Sequence, residues 1–154
     1  FLPFILPIAI WVSWSDLAHM KIPNKAVIAM LAVFALVGLV ALPFEEYLWR
    51  YAHILVVFVI VFAMSSLGMM GAGDAKFALA AAPFIDVQDA RVLMFLLGAT
   101  TLAGFIMHRA MGRIPSLRGM VPDWESWTRT KHFPMGFALA PTLVFYLLLG
   151  LING

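Results

Sequence analysis

The sequence predicts an all-α, polytopic membrane bundle of six transmembrane helices, and three observations carry that prediction. Of the 154 residues, 64% are hydrophobic and 12% charged, against roughly 45 to 50% and about 25% in a soluble domain. The apolar residues fall into long uncharged runs, and the basic residues between those runs collect on one side of the zigzag they define. The length holds one such bundle, because six crossings at about 20 residues each take about 120 residues and leave only short loops. The whole chain, 1–154, therefore reads as a single integral-membrane domain.

The uncharged runs are 1–15, 26–44, 51–73, 77–85, 92–107 and 133–154. The first begins without Met and without a basic flank, so it reads as helix 1 from a trimmed start and not as a cleavable signal peptide. The fourth covers about 14 Å at 1.5 Å per residue and falls short of a hydrocarbon core about 30 Å thick. To cross, it must borrow residues 71–76. Loop charge decides whether it does. With six crossings, one side receives Lys21, Lys25, Lys76, Arg109, Arg113, Arg118, Arg129 and Lys131, and the other only Arg50 and Arg91. If the fourth run turned back, the basic residues from Arg109 to Lys131 would change sides and the positive-inside bias would vanish. Six helices with both termini outside is the expectation. No internal repeat, low-complexity tract or linker interrupts it.

The one sizeable loop, 109–131, mixes basic residues with Trp124, Trp127, Pro115 and Pro122. Trp prefers the headgroup level and Arg or Lys favours anionic lipid, so membrane anchoring at the cytoplasmic interface outweighs a substrate-binding loop. Within it, Pro122-Asp123-Trp124-Glu125 is expected to open a short surface helix, with Pro in the first turn and acids near the positive end.

Composition also excludes. A net charge of +2 gives no nucleic-acid footprint. The absence of Cys removes disulfides, Cys-ligated zinc, iron–sulfur clusters and thiol nucleophiles. His19, His53, His108 and His132 share no ligand spacing and read as interfacial, so no metal site is expected. Ser65-Ser66 lacks the context of a serine nucleophile. Glu45, Glu46, Asp86 and Asp89 fall in short external loops, where solvation is the ordinary explanation.

Two acids stand apart. Asp16 follows fifteen uncharged residues, near the cytoplasmic end of helix 1. An Asp at membrane depth costs about 2.5 to 3.5 kcal/mol on insertion scales, which makes it a functional candidate. A solvated helix end, with Asp16 paired to Lys21, is the plain alternative. Downstream, Pro23 disfavours helix at Ile22, and Asn24 is expected to cap helix 2. Asp74 lies in Gly68-Met69-Met70-Gly71-Ala72-Gly73-Asp74-Ala75-Lys76, where Gly71 and Gly73 admit backbone conformations or close approaches that a Cβ would forbid. Asp74 as a mere cap of helix 4 is the competing reading. That reading weakens because Asp16 falls on the same side at similar depth. Two carboxyls in a partly dry site suit peptide hydrolysis without a metal: one takes a proton from water and the other hydrogen-bonds the carbonyl oxygen. Close carboxylates cannot both ionise cheaply, so the pair shares a proton.

These residues resemble a known family. Gly71-x-Gly73-Asp74-x-Lys76 is similar to the GxGD motif of intramembrane-type aspartyl proteases. Asp16 followed by Lys21-Ile22-Pro23-Asn24 resembles the first catalytic segment of bacterial type IV prepilin peptidases. Phe133-Pro134-Met135-Gly136 with Ala138 resembles the start of that family's last helix, which makes Pro134 and Gly136 candidates to face substrate. The resemblance implies Asp16 and Asp74 as the catalytic pair. It also implies a prepilin or pseudopilin substrate with a hydrophobic N-terminal helix, no cofactor, and a bacterial inner membrane with the site facing the cytoplasm. Larger members add a methyltransferase region with Cys pairs. A chain without Cys is similar to the short, peptidase-only members associated with Flp (Tad) pili. Archaeal preflagellin peptidases share GxGD and are a near alternative. Outside the class, the same two acids would suit a small proton-coupled transporter or channel, or a structural subunit whose acids meet basic partners. Transporters often show two related halves, which this sequence lacks.

Overall fold

The computed structural model describes residues 1–129 and 132–153, and those residues form helices joined by turns, with no strand among them. Lys131, which entered the loop-charge count, and Gly154, the end of the last run, lie outside the described residues.

Helix α1 (Leu2–His19) ends where Met20 adopts a left-handed conformation, φ 51°, and its N–H bonds back to the Asp16 carbonyl. Pro23 is extended and starts α2 (Asn24–Ala41). Asn24 is thus the first helical residue and no side chain caps this helix, which corrects the expected Asn24 cap. Leu42 is extended, as a residue before proline should be, and Pro43 starts α3 (Phe44–Ser66). This helix begins before the uncharged run at 51, because Glu46 and Arg50 are a helical i,i+4 pair that carries charge into the first turns. It stops before 73 because Gly68, at φ +72°, turns the chain.

Helix α4 (Ala72–Ala81) takes the expected residues from 71–76 and continues as a 3₁₀ turn through Phe84. Together they reach about 20 Å, which is less than a hydrocarbon core about 30 Å thick. A second 3₁₀ turn, Val87–Asp89, leads into α5 (Ala90–Gly112). The loop beyond holds α6 (Pro115–Met120) and α7 (Glu125–Thr128). The short helix expected at Pro122 therefore starts later, after Trp124, and it is Pro115 that opens a helix. Helix α8 (Gly136–Asn153) closes the chain.

Four described helices are long and apolar enough to cross a membrane: α1, α2, α3 and 87–112, which comprises the second 3₁₀ turn and α5. The apolar part of α8, Gly136–Ile152, is slightly shorter, and α4 is far shorter. Length and composition thus support four spans where the loop charges predicted six. The short α4 is enclosed: it packs on α2, α3 and α8, and Phe77, Ala80, Ala81 and Phe84 are all buried. Its second half and exit turn are thus surrounded by protein, the condition for irregular backbone at membrane depth, while Gly71 and Ala72 at its start are exposed.

The packing is that of helices in lipid. Ala9, Ala26, Ala80, Ala138 and Ala140 are buried at helix contacts, where small side chains let backbones approach. Phe34 fills the centre, stacked on Tyr47 and edge-on to Phe84. The outward faces of α3 and α5 are apolar, with Leu55, Phe58, Phe62, Phe95 and Leu102 exposed.

Candidate active site

Asp16 sits one turn before the end of α1 and is buried, although it is a carboxyl in an apolar helix. The reason is α8, whose first residues abut it. The Gly136 backbone N–H donates to Asp16 Oδ2 at 2.6 Å, and the Phe137 N–H adds a second bond. The Gly136 N–H has no acceptor within its own helix start, the Phe137 N–H is shared with the Pro134 carbonyl at 3.2 Å, and the dipole there also favours a negative group. The fit requires glycine: a Cβ on Gly136 would lie 2.9 Å from Asp16 Oδ2 and 3.1 Å from its Cγ. Gly136 is itself buried and Pro134 is fully so.

Asp74 is half-buried, in the first turn of α4. Its carboxyl folds back on the helix start, where the Gly71 backbone N–H bonds it and the position of a Gly71 Cβ would be 3.0 Å from Oδ2. Neither motif glycine has a positive φ; among the described residues only Met20 and Gly68 do. Their use is close approach, not left-handed backbone. Gly73 faces Ile22, where a Cβ would make an ordinary contact at 3.6 Å.

The two acids meet through the α1–α2 loop. Ile22 is buried against Gly73, and Lys76 Nζ donates to Asn24 Oδ1 at 3.1 Å. Ser15 Oγ donates to the Lys21 carbonyl at 2.9 Å, which fixes the turn. Lys21 itself is exposed, and no ion pair joins it to Asp16 among the described residues. In this frame the Asp74 carboxyl feels the charge of Asp16, although 58 positions separate them in the chain.

The pattern that defines the type IV leader peptidase family matches residues 4–108. The chain belongs to that family. Membership makes it a leader-peptidase-like protease, and the apolar helices make it a membrane protein. The match contains both acids and the α1–α2 loop and ends in the last turns of α5. Gly136, which holds Asp16, lies beyond it. No curated protein and no solved structure matches the chain.

Sequence reasoning missed a second polar cluster, at the opposite end of the bundle. Arg50 is buried and its Nη2 lies 2.6 Å from Glu46 Oε1 and 3.0 Å from Asp86 Oδ2. Tyr146 donates to Asp89 Oδ2 at 2.7 Å and accepts from the Asp86 N–H at 3.0 Å. His53 is buried in α3, with Nδ1 3.1 Å from the Ile85 carbonyl. Glu46, Asp86 and Asp89 thus have protein partners as well as solvent, and His53 is buried, whereas Glu45, His19 and His132 are exposed as expected. Because α4 is short, its exit turn ends beside the first turns of α3, and the acids there find partners. The i,i+4 spacing of Glu46 and Arg50 was the available signal.

Proposed function

We propose that the chain is an aspartic endopeptidase that cuts the leader from type IV prepilins of the Flp type, at the cytoplasmic face of a bacterial inner membrane. The observation that carries this reading is that Asp16 and Asp74 lie at one end of the bundle, close enough for the charge of one to act on the other, with backbone amides at both and no ion pair to either among the described residues. One carboxylate takes a proton from a water as the oxygen attacks the scissile carbonyl carbon. The other, protonated, donates to the carbonyl oxygen as the tetrahedral diol forms. Collapse of the diol breaks the C–N bond, and the proton taken from water goes to the leaving amine. Asp16 Oδ2 is committed to α8, so Oδ1 is its oxygen for water or for Asp74. Gly136 is a positioning residue for Asp16.

Six crossings remain part of the proposal. In it α4 crosses inside a protein sleeve, and α8 crosses beside α1. Labelling single cysteines placed near Lys21 and Arg118 tests the topology: both should react from the cytoplasmic side, and opposite sides would overturn six helices.

The enzymatic test is direct. Purified protein incubated with a peptide carrying a short basic leader and an apolar helix should cut it once, at the boundary. Activity should follow a bell-shaped pH profile whose limbs belong to the pair and not to either acid. No group of His, Cys, Asp or Glu is placed to hold a metal among the described residues, so EDTA should leave the rate unchanged. Loss of cleavage restored by one divalent ion would overturn the aspartic mechanism.

A further inference from the structure

Beyond the acids, the loop after α5 folds back to form a cavity of about 290 Å³, near the lower end of the roughly 300–1,000 Å³ of small-ligand sites. Arg109 in the last turn of α5, Arg113 just past its end and Arg118 in α6 line it. Trp127 forms another wall, stacked on His108 at 4.7 Å between ring centroids. Two buried polar atoms in this lining have no hydrogen-bond partner among the described residues: Ser126 Oγ and His108 Nε2. Ser126 is 2% exposed. A buried hydroxyl left unpaired is costly, and such atoms usually have a partner.

We propose that this cavity binds a phosphate group, which the guanidinium groups neutralise and to which Ser126 Oγ and His108 Nε2 donate. Arginine suits the task because its planar fork pairs with phosphate oxygens. The site stands at the end of a spanning helix, and Ile106, Ile114 and Met120, close in sequence to its lining residues, are exposed apolar side chains. Those side chains would lie along the acyl chains of a phospholipid whose headgroup entered the cavity. Generalised attraction to an anionic surface would treat every basic residue alike; a built cavity with a buried serine would not.

The test uses the full chain in a neutral detergent and counts bound lipid by native mass spectrometry. Dioleoyl phosphatidylglycerol should be retained one per chain and preferred over dioleoyl phosphatidylcholine by about tenfold or more, the scale of a few charge-assisted hydrogen bonds. Arg113→Gln with Arg118→Gln should weaken retention about tenfold, and Ser126→Ala several-fold, as expected when a charge-assisted bond is lost. Arg129→Gln should not change it, because Arg129 pairs with Glu125 outside the cavity. If the double Gln variant fails to fold, Arg113→Lys with Arg118→Lys keeps the charge and should still weaken binding by removing the fork. Inorganic phosphate distinguishes the sources. Displacement of the lipid by millimolar phosphate assigns the site to free phosphate; retention of the lipid against it assigns the site to a headgroup. Equal retention of both lipids, retention untouched by the Arg and Ser126 variants, or occupancy by an acidic peptide alone would overturn the proposal.

Discussion

Where α3 begins, Arg50 lies between Glu46 and Asp86, and Tyr146 caps Asp89; where α1 ends, amides from Gly136 and Phe137 support Asp16, an amide from Gly71 supports Asp74, and Asp74 feels the charge of Asp16. Both ends place acids inside an apolar bundle, and they manage the charge differently. At the Arg50 end, positive charge is matched to negative, with one guanidinium between two acids. At the Asp16 end no ion pair reaches either acid among the described residues, which is what the proposed sharing of a proton requires. A paired acid steadies a fold. A pair of acids without a cation gains nothing for the fold and is expected where chemistry is done.

The largest effect should separate the two ends outright. Asp16→Asn and Asp74→Asn each keep size and remove the ionisable group, and each should lower the cleavage rate by roughly a thousandfold or more. The double variant should be no slower than either single one, because one step needs both groups at once. Asp86→Asn and Asp89→Asn should leave the rate within a few-fold of wild type. Substantial cleavage by either Asn variant at the Asp16 end would break the comparison, and so would loss of cleavage on changing Asp86 with the fold intact.

The next effect sharpens the geometry. Gly136→Ala puts a methyl 2.9 Å from Asp16 Oδ2, so the carboxyl must move by a few tenths of an ångström or more. Misplacing a reacting group by about 1 Å can cost around a hundredfold, and a loss of roughly 10- to 100-fold in kcat is expected with little change in KM. Gly73→Ala meets Ile22 at an ordinary contact distance and should stay within a few-fold. The reverse order of these two glycine variants would show that α8 does not position Asp16.

How far the sequence reveals the two ends follows from where their partners lie. Asp16 and Asp74 were legible because an acid after fifteen uncharged residues is conspicuous at any depth, and a GxGD segment carries its glycines beside its acid. The hold on Asp16 was not legible, since it comes from a backbone amide 120 positions away. Backbone groups have no side-chain signature, and the resemblance of Phe133-Pro134-Met135-Gly136 pointed to substrate, not to an amide that holds Asp16. The all-helical fold was legible from the apolar runs. The ends of α3 were not, because a run of uncharged residues marks lipid exposure while a helix continues through any charge that finds a partner. The shortness of the fourth run was legible, but the enclosure of α4 by α2, α3 and α8 is a fact of packing that no local window contains.

At the Arg50 end the expected effect is on stability alone. Arg50→Met keeps the stem and removes the charge, leaving Glu46 and Asp86 without their common partner. Each acid is only partly buried, with side-chain exposures of 40% and 37%, so water replaces some of the loss. A destabilisation of about 1–3 kcal/mol is expected, read as a lowered thermal midpoint in detergent, with kcat unchanged. A large loss of rate at unchanged stability would mean that this end takes part in the chemistry.

The smallest effect concerns the tie between the segments that carry Asp16 and Asp74. Lys76 and Asn24 are both exposed, and their hydrogen bond is 3.1 Å. A single solvated hydrogen bond is worth no more than about 1 kcal/mol, and the buried Ile22–Gly73 contact next to it would hold the loop on α4 without it. Lys76→Met and Asn24→Ala should therefore each slow cleavage by less than about fivefold. If the tie acts only by fixing the loop, the two changes share one interaction, and the double variant should resemble either single one. A double-mutant cycle on kcat/KM reads that coupling directly. Additive losses would mean that the residues act separately. A loss of a hundredfold or more in Lys76→Met alone, with thermal stability unchanged, would place the Lys76 ammonium in contact with substrate or with the acid pair. The Asp16 end would then contain a cation after all, and the contrast with Arg50 would reduce to a difference of distance.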